Sequence, residues 1–176
     1  SAELSQMVGR ILSYEARQHD SWLVLADRDY DGEDYGTSAE RAIASMPDFI
    51  RADLVRQTNS VDEARSAFVA GLADSPDAVL YFGHGGLDRM GRDGILRSDD
   101  LAALDPAVLP AVHFTMSCSV GRFEVPGFES LSEQLLRSPQ GAVAIFSPSG
   151  QTNMEDADAL AGFVVASLHE PGARLG

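Results

Sequence analysis

Cys118 is the only cysteine among 176 residues, and it stands where an apolar run ends. Ala111-Val112-His113-Phe114-Thr115-Met116 breaks into Ser117-Cys118-Ser119-Val120-Gly121. His84 lies 34 positions upstream, where Ala78-Val79-Leu80-Tyr81-Phe82 breaks into Gly83-His84-Gly85-Gly86. A thiol acts as a nucleophile when it has a proton-handling partner and backbone N–H donors for the oxyanion that develops on the substrate. Two strand ends carrying Cys118 and a glycine-flanked His84 meet those needs, and the chemistry expected of them is that of a cysteine peptidase. The alternatives are an inert buried thiol and a strand-end histidine with a structural partner.

Both runs have the pattern of buried parallel strands, and ligands of open α/β sheets bind beyond the carboxyl ends of such strands. The rest of the chain alternates accordingly. Leu4, Met7, Val8, Ile11 and Leu12 mark an amphipathic first helix, and Trp22 to Ala26 a first strand. Thr37-Ser38-Ala39-Glu40 reads as a capping box for a helix carrying Ile43 and Met46, and Asp53-Leu54-Val55 as a short strand. Ser60-Val61-Asp62-Glu63 opens a helix with Ala64, Phe68 and Leu72 inward. A polar glycine-rich connection follows the His84 strand, then a short helix from Ser98. Ser130-Leu131-Ser132-Glu133 caps a helix bearing Leu135 and Leu136, and Gly141 to Phe146 is a fifth strand. From Asp156 to His169, Leu160, Phe163, Val164 and Leu168 share one helical face. This order predicts an α/β fold, a mostly parallel sheet with helices on both faces.

The ordered motifs resemble the caspase-like (clan CD) cysteine peptidases, and more closely their gingipain-type branch. The likeness runs through Tyr14-Glu15, Trp22 to Asp27, Tyr81 to Gly86 and Leu109-Pro110. It continues through Ser117-Cys118 with Gly121 and Phe123, Ser130 to Glu133, and Gly141-Ala142-Val143-Ala144. It implies a caspase-like three-layer fold and an endopeptidase. In that family the histidine and cysteine flank the scissile bond, and His84 would protonate the leaving amine. The Gly85 N–H, with the Cys118 N–H or the His84 ring, would hold the oxyanion. A Cβ at Gly85 would obstruct the approach of substrate to the backbone. An acid often closes the first strand in this family, which assigns Asp27 the orienting role toward His84. The resemblance implies further helix and strand beyond Arg174-Leu175-Gly176, so a final strand is expected to be either missing or supplied by another chain.

Asp27-Arg28-Asp29-Tyr30-Asp31-Gly32-Glu33-Asp34 invites two further readings. Acids at positions 1, 3 and 5 with glycine at 6 match the first half of a calcium loop, although the twelfth position is Ser38. Calcium is thus a candidate ligand, while the reaction itself requires no cofactor. The same acids would suit a basic side chain before the scissile bond. A specificity pocket is expected from Asp34, Ser117 and the segment from Ser147 to Met154. Where Arg-specific members place their pocket acid, counting back from His84 reaches Gly36, and Asp34 is the substitute. Cleavage after Arg or Lys is expected, slightly favouring Lys because the chain has none.

Composition narrows the remaining classes. A formal net charge of −14 disfavours nucleic acid and anionic membrane surfaces as partners. No apolar run is long enough for a membrane span and no signal-peptide pattern opens the chain. Compartment therefore stays unassigned. Residues 1–176 read as one domain cut from a longer protein, whose other domains are candidate partners beside a protein or peptide substrate. His113, inside a strand, reads as a core residue, and His19 and His169 as helix C-terminal residues. An α/β-hydrolase fails at Met116-Ser117-Cys118-Ser119-Val120, which lacks the flanking glycines of the nucleophile elbow. The surviving alternative is a catalytically silent caspase-like domain that binds or regulates.

Overall fold

The computed structural model describes residues 2–105 and 107–170. Its elements in order are α1 (Ala2–Glu15), β1 (Ser21–Ala26), α2 (Tyr35–Ala44), β2 (Arg51–Arg56), α3 (Val61–Ala73) and β3 (Ala78–Phe82). Then come β4 (Gly85–Gly86), β5 (Arg89–Met90), β6 (Leu96–Arg97), a 3₁₀ turn η1 (Ser98–Ala103), β7 (Ala111–Met116), α4 (Leu131–Arg137), β8 (Ala142–Phe146) and α5 (Met154–Leu168). The main sheet has the order β2-β1-β3-β7-β8, all parallel. Order reverses between β1 and β3, so a crevice opens there beyond the carboxyl ends of the strands.

The alternation of side chains along the strands builds two cores. Leu23, Leu25, Val79 and Tyr81 pack with Phe68 and Leu72 of α3 and Leu131 and Leu135 of α4. Trp22, Val24, Leu80, Phe82 and Phe114 pack with Ala39 and Ala42 of α2 and Ala157, Ala161 and Val165 of α5. Each fully buried Leu or Phe contributes about 1.5–3 kcal/mol, so a strand buried on both faces is held by both layers. The expected three-layer α/β arrangement is the one observed. Among the described residues, no helix is long and apolar enough to cross a membrane.

Several local expectations are corrected. The cap of α2 is Asp34 rather than Thr37: its carboxylate accepts from the Thr37 N–H at 2.8 Å and the Thr37 hydroxyl at 2.7 Å. The glycine-rich connection is a small antiparallel sheet, β4-β5-β6, whose two-residue strands are too short to show a period in sequence. Helix α1 is turned around: Leu4, Val8, Ile11 and Leu12 face outward. Its inner face is polar, with Arg10 donating to the carbonyls of Leu136 and Ser138 and the Tyr14 hydroxyl to the Asp77 carbonyl at 3.2 Å. On α5, Leu160 and Phe163 are likewise exposed, because Ala157, Ala161, Val164 and Val165 let the helix lie close on the sheet. The expectation at Arg174-Leu175-Gly176 falls outside the described residues.

His113 is buried on β7, and its Nδ1 has no hydrogen-bond partner among the described residues. It lines a small apolar space with Leu72, Leu96, Leu104 and Leu135. Burial pushes its imidazole down to about 4 from an ordinary 6.5. The folded chain therefore keeps His113 neutral while the unfolded chain takes up a proton near pH 6.5. This stability is fully present above about pH 6.5 and is lost as pH falls toward 4, by roughly 3 kcal/mol. His113→Leu should flatten that part of the curve, as read from urea midpoints between pH 4 and 7; an unchanged slope would place the acid sensitivity elsewhere.

Candidate active site

Three strand ends meet at the crevice. Asp27 follows β1, His84 follows β3 and Cys118 follows β7, each one or two residues past its strand. Asp27 is 2% exposed, yet its carboxylate is fully engaged. One oxygen accepts from the Arg28 N–H at 2.8 Å. The other accepts from the His84 N–H at 3.1 Å, the His84 Nδ1–H at 3.1 Å and the Arg92 N–H at 3.0 Å. With Nδ1 turned to a carboxylate, the donor tautomer is set at that nitrogen and Nε2 is left for the cleft. The imidazole is also flanked edge-to-face by Tyr30 at 5.7 Å and Tyr35 at 5.3 Å between ring centroids.

The turn carrying His84 depends on Gly83, whose φ is +153°. A Cβ there would lie 2.3 Å from both the Asp27 Cβ and the Tyr81 hydroxyl, so only glycine passes between them. At Gly85 a Cβ would come within 2.2 Å of the Cys118 carbonyl oxygen. The histidine turn and the cysteine loop are therefore in backbone contact.

Cys118 is a half-buried free thiol. Its sulfur accepts from the Thr152 N–H at 3.3 Å and donates to the Thr152 carbonyl at 3.5 Å. The loop behind it is joined to the segment between β8 and α5. There the Ser119 N–H donates to the Gly150 carbonyl at 2.8 Å, and the Gly121 N–H to the Pro148 carbonyl at 3.0 Å. Ser119, at φ 54°, makes the sharp turn that follows the cysteine.

His84 and Cys118 share one cleft of about 110 Å³, together with Gly85, Glu33, Tyr35 and Thr152. Of the residues expected to bind substrate, Ser117 and Met154 line this cleft. The Ser117 hydroxyl is buried and has no hydrogen-bond partner among the described residues. Asp34 is exposed and holds the end of α2, where hydrogen bonds from Thr37 keep its carboxyl below the usual range. Ser147 is turned to the Ser132 hydroxyl at 2.8 Å. The loop acid that reaches the cleft is Glu33, which accepts from the Tyr35 hydroxyl. Burial, reinforced by Glu33, raises the Tyr35 phenol far above its ordinary range, so it remains a donor. Sequence reading placed Glu33 only within the acidic loop and Thr152 only within the segment from Ser147 to Met154, and it missed Tyr30 and Tyr35. The visible signal for Glu33 was Asp34-x-x-Thr37, a capping pattern that takes Asp34 away and leaves its neighbour free.

Three carboxylates of the acidic loop have partners within the protein. Asp27 is directed at His84 and backbone donors, Asp34 at Thr37, and Glu33 at Tyr35. Among the described residues no three His, Cys, Asp or Glu side chains converge as ligands. A larger groove of about 440 Å³ runs between α1 and the turn at Val108–Pro110, and neither Asp27, His84 nor Cys118 lines it.

Comparison with known proteins bears on the fold and the family. A search of curated proteins returns no significant match. Among solved structures the chain is similar to gingipain R, described as an Arg-specific cysteine proteinase. The TM-score is 0.74 at 15% identity, over 94% of this chain and 43% of the gingipain chain. That likeness shows a shared caspase-like fold, and this chain spans less than half of its neighbour. The model of peptidase family C25 matches residues 1–176, so the chain belongs to peptidase family C25, the gingipain-type cysteine peptidases.

Proposed function

We propose that this domain is a cysteine endopeptidase that uses Cys118 as nucleophile and His84 as acid–base partner, with Asp27 positioning His84. The observation that carries this reading is the His84 ring held on Asp27 through Nδ1, on the same cleft as the only thiol. The Cys118 sulfur attacks the scissile carbonyl carbon and gives its proton to solvent or His84. The carbonyl oxygen becomes an oxyanion, held by the Gly85 N–H with the Cys118 N–H. As the C–N bond breaks, His84 Nε2 delivers a proton to the leaving amine. Water then attacks the thioester, the acid product departs and the thiol is restored. Asp27 keeps the imidazole in the tautomer this needs and stabilises its charged form.

For specificity, the carboxylate of Glu33 in the cleft favours a basic side chain before the scissile bond. A guanidinium or ammonium leaving water needs a paired acid, and gingipain R is itself described as Arg-specific. Glu33 takes the role that sequence alone gave to Asp34. Ser117 and Met154 complete the wall of the pocket.

Cys118→Ala and His84→Ala should each abolish peptide hydrolysis with little change in Tm, and full activity in either would remove the mechanism. Asp27→Asn should lower kcat more than it raises KM. It should also cost about 1–3 kcal/mol of stability, because an amide turns a donor toward backbone N–H groups.

Glu33→Gln should reduce kcat/KM for peptides with Arg or Lys before the cut by about 30- to 150-fold, ~2–3 kcal/mol, and leave Leu peptides nearly unchanged. The comparison of Arg, Lys, Leu and Asp peptides decides it; best cleavage of Leu or Asp peptides rejects Glu33 as the pocket acid.

The reaction so assembled uses side chains and backbone alone. EDTA should leave kcat/KM and Tm unchanged, whereas a loss restored by added calcium would return the acidic loop to a metal-binding role.

A further inference from the structure

Tyr81 is fully buried in the core beneath the His84 turn. A phenylalanine would fill that space, and a buried hydroxyl is costly unless it is hydrogen-bonded. Both of its capacities are used. The hydroxyl donates to the His84 carbonyl at 2.5 Å and accepts from the Gly91 N–H at 2.8 Å. Burial, with Asp27 nearby, raises the phenol well above its ordinary 10, so it stays protonated.

The His84 carbonyl belongs to the same peptide unit as the Gly85 N–H. A trans peptide is planar, and its C=O and N–H point in opposite directions. In the β4–β5 ladder Gly85 faces Met90, and the bond beside that pair runs from the Gly91 N–H to the His84 carbonyl at 2.9 Å. The carbonyl thus points inward to Tyr81 and Gly91, and the Gly85 N–H points away from β5. Gly85 lines the cleft with Cys118. On the other side, Asp27 accepts the His84 N–H at 3.1 Å. The turn is clamped at both its N–H and its carbonyl, with Gly83 as the one residue that fits between the two clamps.

We infer that Tyr81 is a positioning residue for peptide hydrolysis: by holding the His84 carbonyl, its hydroxyl sets the plane of the His84–Gly85 peptide and aims the Gly85 N–H at the developing oxyanion. This rests on the roles given above to Cys118, His84 and Gly85. Loss of the hydroxyl leaves Gly91 as the remaining tether and lets the plane rock. The cost falls on the tetrahedral state, where the oxyanion is charged, and spares substrate binding.

The test is Tyr81→Phe in the whole chain, with three measurements. The first is kcat and KM on the best-cleaved peptide. The second is inhibition by the aldehyde of that peptide, in which the Cys118 sulfur adds to the carbonyl carbon, the thiol proton passes to solvent or His84, and the carbonyl oxygen becomes the oxyanion. The third is the rate of Cys118 alkylation by iodoacetamide, which displaces iodide and forms no oxyanion. We expect kcat to fall about tenfold with KM nearly unchanged. Aldehyde inhibition should weaken about as much, and alkylation should keep the parent rate. Unchanged kcat and aldehyde inhibition would overturn the inference. So would a variant that fails to fold, or that loses alkylation in parallel with activity, because the hydroxyl would then be a structural strut. His84→Ala, assayed alongside, separates the two readings: if it stays active, the assignment of His84 fails rather than that of Tyr81.

Discussion

The carboxylate of Asp27 is the point on which the site depends. It is buried, and an ionised carboxylate out of water without partners would cost several kcal/mol or more. Here it accepts backbone N–H groups from its own loop, from the turn after β3 and from the hairpin at Arg92, as well as the imidazole Nδ1–H. One carboxylate therefore ties its own loop to the turn at His84 and the strand connection at Arg92, both far from it in sequence. It can do so because the sheet order reverses between β1 and β3, which leaves open the crevice where those segments meet.

The two walls of the cleft are built by different means. On the histidine side, side chains anchor the backbone: Asp27 from one direction, Tyr81 from the other, and Tyr30 and Tyr35 around the ring. On the cysteine side, backbone anchors backbone, as Ser119, Gly121 and the sulfur itself are joined to the chain between β8 and α5. The wall anchored by side chains carries the imidazole, and the wall anchored by backbone carries the sulfur.

The hairpin β4-β5-β6 links these features to the stability of the domain. Met90, Ile95 and Leu96 are buried in the core under α3 and α4, while the backbone of Gly91 and Arg92 reaches Tyr81 and Asp27. Arg92 also lies over the Tyr30 ring at 3.7 Å, and Asp93 pairs with Arg28 at 3.2 Å. Burial of a few apolar side chains thus keeps backbone donors in place beneath the histidine.

Much of this architecture was legible in the sequence. Short apolar runs ending in glycine, serine or an acid marked β1, β3, β7 and β8, and with them the positions of Asp27, His84 and Cys118 at one sheet edge. Capping serines at Ser60 and Ser130 marked α3 and α4 correctly, because a cap is a local hydrogen bond that neighbouring residues decide. Which face of a helix turns inward is not local. The apolar stripe of α1 looks outward because Arg10 and Tyr14 find carbonyl partners at the end of α4 and at Asp77, and α5 exposes Phe163 because small residues approach the sheet more closely. Glu33 rather than Asp34 enters the cleft for a similar reason, since the start of α2 claims the neighbouring carboxylate. Residue type and spacing determined which groups could do chemistry. Only the folded chain decided which of them face one another, because that depends on hydrogen-bond partners supplied from distant segments.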